Sequence, residues 1–390
     1  MKKLIRKLAE KIFQSSWYPN KKILLESRPD MSCQTYPVFR YMLKEHLNDE
    51  YKLIWLVKDK REFKDVHIKN VRFVNYDTKN KWERFKRLYL ICTSRAMLYA
   101  NKYIGKIFPN QLYVYLMHGA CIKSRLKHTR EDEVNESDAC ITLSPFLLEY
   151  DIVEEHIPRE NFIITGYPRN DFLFLEENYV EKVFVGSCYK KVILWMPTFR
   201  KTSCGRTDSQ FDMPLGIPCL YSEEDCIKVN EELKKQNMLL VLKPHPAQDV
   251  SLIKSIDLSN FIIIYDKDLK EKGVQLYQFV GSTDALITDY SSIYYDYLLT
   301  QKKIGITTDD FDAYSEDTGF VFDNVFDILV GKYMNNADEF VEFVRYVASE
   351  EDELLEKRNE VSELVHAHHD NKSTERVYNY IIDELNKRYK

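Results

Sequence analysis

The chain has 390 residues, 44% hydrophobic and 30% charged, with a net charge of −5. That is long enough for two domains with real cores, and the acidic balance excludes a surface that binds polyanions such as nucleic acid over its whole extent; any basic patch must be local. Only 11 glycines occur, in neither G-x-G-x-x-G nor G-x-x-x-x-G-K-[ST], and the eight cysteines (33, 92, 121, 140, 188, 204, 219 and 226) form no C-x-x-C, which argues against a dinucleotide fingerprint, a P-loop, a zinc site and a disulfide framework, and fits reduced cytosolic thiols.

Residues 1–20 predict a short amphipathic helix. Leu4, Ile5, Leu8, Ile12 and Phe13 fall on one face, and Lys2, Lys3, Arg6, Lys7 and Lys11 on the other. With Trp17 and Tyr18 near its end it suits the surface of an anionic membrane; a helix packed on its own domain with a solvated basic face is the alternative. No apolar run reaches the length of a membrane span, and no adequate apolar stretch follows the basic start to make a secretory signal. Ile23–Ser27, Tyr51–Val57, Val71–Asn75 and Ala96–Ala100 predict strands, with helices over Tyr36–Leu47 and Lys81–Thr93. Alternation of this kind indicates a parallel α/β sheet.

Leu112–Met117 is a further strand, with His118-Gly119-Ala120 at its exit. Open parallel sheets bind ligands at their carboxyl ends. Gly119 permits close backbone approach, and a histidine there can act as a general base; a structural histidine is the plain alternative. The basic run Lys123, Arg125, Lys127, His128 and Arg130 follows, as a solvated face or a phosphate-attracting rim. Ala139–Leu143 is a strand, Ser144-Pro145 opens a helix, and Asn161–Thr165 runs into the turn Gly166-Tyr167-Pro168-Arg169-Asn170-Asp171, whose Arg169 suits an anion.

The second half repeats the plan. Lys191–Met196 ends in Pro197-Thr198-Phe199-Arg200, Lys201–Pro218 reads as a mobile loop, Glu223–Gln236 as a helix, and Met238–Lys243 as a strand ending in Pro244-His245-Pro246. Phe261–Tyr265 is a strand and Leu276–Gly281 a short helix. Ala285–Ile287 then leads into Thr288-Asp289-Tyr290-Ser291-Ser292 and a helix from Ile293 to Leu299. A Ser/Thr/Asp turn before a helix supplies N-cap side chains and free N–H groups, a place that suits phosphate; an ordinary capped helix is the alternative. Asp309–Asp323 reads as acidic loop, Asn335–Ser349, Asp352–Ala367 and Ser373–Tyr389 as helices, and His366, His368 and His369 as a polar helix end rather than a metal site.

Two α/β halves with polar motifs at strand exits imply a cleft between them, the layout of a GT-B transferase: a helix at 1–20, an acceptor-side Rossmann-like domain at 21–180, a donor-binding Rossmann-like domain at 181–365 and a terminal helix at 366–390. In order, His118-Gly119, GYPRND (166–171), PTFR (197–200), KPHP (243–246) and TDYSSIYYDYL (288–298) resemble the CDP-glycerol glycerophosphotransferase family of teichoic acid synthesis, over roughly residues 20–385. The resemblance implies transfer of glycerol phosphate, or ribitol phosphate in some members, from a CDP-activated donor to a polyprenyl-diphosphate-linked saccharide or polymer, peripherally at the cytoplasmic membrane face. It implies His118 as base and His245 as the group that stabilises the donor phosphates as CMP leaves. Ser291 and Ser292 match the pyrophosphate-binding pair. Gly119, Ala120, Lys123, Arg169, Pro197, Thr198, Arg200, Lys243, Thr288 and Asp296 match other substrate positions. It calls for no resident cofactor and leaves a divalent cation open; Asp289 is assigned to capping. The chain departs from the family in reading HGACIK for HGTPLK, with Ala120 and Cys121 in place of Thr and Pro, and in carrying Lys243-Pro244 where an arginine often precedes the HP pair, which loses bidentate phosphate geometry. Its length resembles the priming or short capsule-type members rather than the large polymerases. A GT-B glycosyltransferase using a nucleotide sugar, or a catalytically silent scaffold of a polymer-assembly complex, are the competing readings.

Overall fold

The structure, a computed structural model, describes residues 20–101, 106–124, 136–200, 209–245 and 248–389. The basic helix expected over 1–20 and most of the basic run after Lys123 lie outside the described residues. Two compact units divide the chain. One comprises the described residues of Met1–Ala120, Glu131–Asp171 and Ala367–Lys390; the other comprises those of Cys121–Arg130 and Phe172–His366.

In the first unit, β1 (Asn20–Glu26), β2 (Lys52–Val57), β3 (Val71–Asn75), β4 (Ser94–Tyr99), β5 (Leu112–Tyr115), β6 (Ala139–Thr142) and β7 (Phe162–Ile164) form one sheet in the order β3-β2-β1-β4-β5-β6-β7. Every pairing is parallel. Helices on both faces account for the near-continuous apolar strands, such as Leu53–Val57, which is buried throughout. The intervening helices start where the sequence offers caps. Asn80 Oδ1 accepts the N–H groups of Trp82 (2.9 Å) and Glu83 (3.3 Å) ahead of Lys81–Thr93, and Ser144 Oγ accepts that of Leu147 (3.2 Å) ahead of Pro145–Glu155.

In the second unit, β8 (Lys191–Trp195), β9 (Met238–Leu242), β10 (Phe261–Ile263), β11 (Ala285–Thr288), β12 (Lys303–Thr307) and β13 (Lys332–Met334) are ordered β10-β9-β8-β11-β12-β13, again all parallel. The helices Glu223–Gln236 and Ala337–Ala348 cover one face, where Trp195 packs against Phe340 with centroids 4.9 Å apart. The strands β12 and β13 carry no alternation strong enough to be read from sequence. The acidic stretch expected as loop contains a helix, Phe311–Asp317, because Phe311 and Tyr314 turn inward onto an aromatic cluster. In each sheet the strand order reverses once, between β1 and β4 and between β8 and β11. Such switch points leave a crevice at the carboxyl ends of the strands.

The helix Ser373–Tyr389 packs with the first unit rather than standing apart. Asp171, at the end of the GYPRND turn, accepts the N–H groups of Ser373 (3.0 Å) and Thr374 (2.9 Å) and so caps it. Gly166 opens that turn at φ +73°, a conformation that strains any other residue, and a Cβ there would also force the Ser373 hydroxyl, 2.5 Å away, to move.

Asp171→Ala should therefore cost about 1–2 kcal/mol of stability, and Asp171→Asn less, because one acceptor remains. Burial raises the pKa of this carboxyl, so folding favours its protonated form. The wild type should lose stability relative to Asp171→Asn as pH rises through the carboxylate range. Urea melts of both proteins across that range check the sign; a pH-independent difference would contradict it.

Candidate active site

The first unit presents His118 at the exit of β5. Met117 takes a left-handed conformation, φ +55°, immediately before it, and the histidine is exposed while Met117, Gly119 and Ala120 are buried. Asn101, at the exit of β4, lies across the sheet from it. The Asn101 carbonyl is committed to the Arg28 N–H (2.7 Å), and its own N–H donates to Glu26 Oε2 (3.1 Å). Its amide nitrogen is left to face His118 Nδ1 at 2.9 Å. Nδ1 is then the acceptor, and the neutral ring carries its hydrogen on Nε2. Arg169 is 6% exposed; its Nη1 donates to the His118 carbonyl oxygen (2.7 Å), and its own N–H donates to Gln34 Oε1 (3.1 Å). Arg169 thus holds the His118-Gly119 turn in place.

The second unit gathers three motifs at the exits of adjacent strands: KPHP after β9, PTFR after β8 and TDYSS after β11. Thr288 Oγ1 donates to the Met196 carbonyl (2.9 Å), tying the last two together. Asp289, fully buried, does most of the joining. Its carboxylate accepts from the Thr198 N–H (2.9 Å), the Thr198 hydroxyl (2.8 Å) and Arg200 Nη1 (2.9 Å). Arg200 also donates from Nε (2.5 Å) and Nη2 (3.0 Å) to Asp310, after β12. Burial opposes the charge on Arg200, and Asp289 and Asp310 outweigh it, holding its pKa above the ordinary value. Burial likewise pushes the Asp310 carboxyl up, with Arg200 opposing. The sequence assigned Arg200 to substrate and Asp289 to capping. The structure instead buries both in one ion network, because a guanidinium at 2% exposure demands carboxylates around it.

Below the turn, Tyr290 packs on Tyr314 (4.8 Å) and Phe320 (5.0 Å), and the Arg200 guanidinium lies 4.8 Å from the Tyr314 ring. The helix that follows is six residues long, Ile293–Leu298, and its N-cap, Ser292, makes no side-chain cap bond. Among the described residues neither Ser291 nor Ser292 has a side-chain hydrogen-bond partner, and both are half-buried. Asp296, expected at the donor, is instead fully buried and accepts from the Tyr277 hydroxyl (2.5 Å), fastening two helices.

Phe199 of PTFR joins two further groups. The His245 ring packs on it at a 41° tilt with centroids 4.6 Å apart, and the Lys123 ammonium lies 5.7 Å from its centroid. Lys123 reaches this place because Ile122 and Ser124 pair with the segment Gly319–Val321. Pro246 lies outside the described residues. Lys243, 7% exposed, pairs with Asp266 at 2.8 Å and lines a cavity of about 440 Å³ with Pro244, Lys254, Tyr265 and Lys267. His366 Nε2 is bonded to the Tyr295 carbonyl (2.8 Å) and His368 Nε2 to that of Ile164 (3.3 Å), and among the described residues no group of three or more His, Cys, Asp or Glu could hold a metal. Sequence reasoning missed Asn101, Phe199 and Asp310. Only Phe199 lay inside a recognised motif.

A family model described as CDP-glycerol:poly(glycerophosphate) glycerophosphotransferase matches residues 11–383. The teichoic acid glycerol-phosphate transferase of Staphylococcus aureus is 25% identical over 92% of this chain and 93% of its own length. The teichoic acid poly(glycerol phosphate) polymerase of Bacillus spizizenii is 26% identical over 76% of each chain. Of two other matching polymerases the chain spans only 34% and 47%. The wall teichoic acid polymerase TagF superposes with a TM-score of 0.75 at 19% identity, covering 99% of this chain and 94% of that one. The likeness in structure identifies the fold as GT-B type.

If Arg200 is internal, Arg200→Met should leave two buried carboxylates unpaired and destabilise the second unit by about 3–5 kcal/mol. Ser291→Ala and Ser292→Ala should melt as the wild type does. Calorimetry on the three variants checks this; an Arg200→Met protein with unchanged melting would return the arginine to the substrate.

Proposed function

The chain belongs to the CDP-glycerol:poly(glycerophosphate) glycerophosphotransferase family, and from that premise we propose that it transfers a polyol phosphate from CDP-glycerol or CDP-ribitol to a hydroxyl of a polyprenyl-diphosphate-linked saccharide or polymer. The observation that carries this reading is the gathering of KPHP, PTFR and TDYSS at the carboxyl ends of three adjacent parallel strands, β9, β8 and β11, around a switch point. The family names a CDP-linked donor, and this edge is where a parallel sheet receives one.

In the proposed reaction the acceptor oxygen attacks the β-phosphorus, a new P–O bond forms, and the bond to CMP breaks. Such a transfer needs positioning and charge stabilisation more than covalent help. The Ser291 and Ser292 hydroxyls and nearby backbone N–H groups bind the phosphates. His245, braced on Phe199, stabilises or protonates the leaving CMP, and Lys123 adds positive charge. Arg200 contributes none, being neutralised by two carboxylates; it shapes the turn from which the serines project. The cavity beside Lys243, with Lys254 and Lys267 on its wall, receives part of the nucleotide. His118 takes the acceptor proton. In the tautomer that Asn101 favours, the basic lone pair is on Nδ1, and the acceptor hydroxyl reaches it by displacing the Asn101 amide.

The acceptor is membrane-borne in this reading, and the chain works peripherally at the cytoplasmic membrane face. No helix among the described residues is long and apolar enough to cross a membrane. Lys3, Lys7 and Lys11 supply attraction to anionic lipid, so replacing all three with Glu should weaken binding to anionic vesicles.

CMP release should be measured with CDP-glycerol and CDP-ribitol in parallel, using a lipid-linked disaccharide acceptor. CMP from one donor names the polyol. His118→Ala and His245→Ala should each slow release by roughly 10²–10⁴-fold. Wild-type rates in both variants would overturn the mechanism. Absence of CMP with either donor, together with turnover of a nucleotide sugar, would overturn the function.

A further inference from the structure

The helix Lys81–Thr93 carries a feature that neither the sheet nor the active site explains. Trp82 is 75% exposed, Phe85 61% and Tyr89 39%. At spacings of three and four residues the three rings share one helical face. Single exposed apolar residues are ordinary, but three large aromatics in a row on one surface are a patch. The opposite end of the helix is fixed in the unit by buried Ile91, Cys92 and Thr93 and at its start by the Asn80 cap, so the stripe is held outward. Exposed Lys81, Arg84 and Lys86 flank it. The helix's one acid, Glu83, is taken up by Lys60 (2.6 Å) and Thr78 (2.8 Å).

We propose that this helix is a membrane-docking surface that lays Trp82, Phe85 and Tyr89 into the interface of an anionic bilayer while Lys81, Arg84 and Lys86 contact the headgroups. The inference rests on the peripheral-membrane part of the proposed function and names a second surface that contributes to it beside the basic residues of 1–19. Charge complementarity selects the occupant. A second copy would bring the same basic rim against itself. Residues 1–19, with Lys2, Lys3, Arg6, Lys7 and Lys11, would also meet it as like charge. Single-stranded nucleic acid binds aromatic residues set along a basic groove, whereas this stripe lies on the outside of one helix. Amphipathic aromatic rings with flanking Lys and Arg match the level of the lipid headgroups.

The test uses the full chain carrying Trp17→Phe. Besides Trp82, its remaining tryptophans are Trp55 and Trp195, both fully buried. Vesicles of phosphatidylglycerol in phosphatidylcholine with brominated acyl chains should quench Trp82, and neutral phosphatidylcholine vesicles should do so far less. Adding Trp82→Phe should abolish the quenching. In the otherwise wild-type chain, the triple change Trp82→Ser, Phe85→Ser and Tyr89→Ser should lower partitioning onto the anionic vesicles by about tenfold or more, with melting lowered only slightly, since Trp82 and Phe85 are exposed and Tyr89 gives up its contact with Lys22. Vesicle binding without Trp82 quenching, or a triple variant that partitions as the wild type, would overturn the surface assignment alone. A triple variant that only turns a sedimenting dimer into a monomer would make a second copy the occupant. Failure of the unaltered chain to bind anionic vesicles would overturn the membrane reading as well, and CMP release would still judge the chemistry separately.

Discussion

The second unit depends on one buried charge arrangement: Arg200 between Asp289 and Asp310. Each of the three comes from the exit of a different strand, β8, β11 and β12. Removing any one would strand charge in an interior that cannot solvate it, so the three exits have to keep their relative positions. The constraint is geometric as well as electrostatic. Asp289 spends its oxygens on the Thr198 backbone and hydroxyl as well as on the guanidinium, so PTFR cannot shift without breaking the contacts that hold TDYSS. The aromatic floor of Tyr290, Tyr314 and Phe320 fixes the same turn from beneath.

That arrangement explains a division of labour among residues of similar chemistry. The charged groups of the motifs are largely consumed in support: Arg200 by two carboxylates, Lys243 by Asp266, Asp296 by the Tyr277 hydroxyl. The groups we propose for the ligand are small or weakly charged, namely the hydroxyls of half-buried Ser291 and Ser292 and the exposed His245. The first unit follows the same logic with different parts. Arg169 spends its guanidinium on the carbonyl of His118, and Glu26 anchors the backbone of Asn101, whose amide then sets the hydrogen on the imidazole. In both units a buried network fixes an exposed histidine or a half-buried serine, which suits transfer chemistry that needs fixed donors and little covalent help.

The sheets were legible in the sequence where strands are buried on both faces. YKLIWLV and MLLVLK announce themselves as apolar runs; the structure adds the Ser222–Asp225 capping box that starts the expected helix Glu223–Gln236. The short strand KYM carries no such run, and its place at the sheet edge follows from pairing with β12. Phe311–Asp317 was hidden because three of its seven residues are acids, although the two aromatics that turn inward decide its packing. The motifs marked strand exits and could not show which residues within them are internal. Arg200 and Asp289 read as a ligand and a cap because a sequence does not display burial. Asn101 stood outside every motif, and only the side-by-side placement of β4 and β5 brings it to His118.

The position of His118 carries a chemical consequence of its own. A base must offer a lone pair, and the Asn101 amide already occupies Nδ1. Were Asn101 simply structural, its carbonyl could equally have faced the ring and left Nε2 basic. The Arg28 N–H, at 2.7 Å from that carbonyl, forbids the reversal. If His118 is the base we propose, its basic nitrogen is covered by a neutral donor, which an acceptor hydroxyl could replace at little electrostatic cost because one hydrogen bond is exchanged for another. In the proposed mechanism proton abstraction would be coupled in this way to arrival of the acceptor, and a water molecule lacking the acceptor's other contacts would have less to offset the loss of the Asn101 bond.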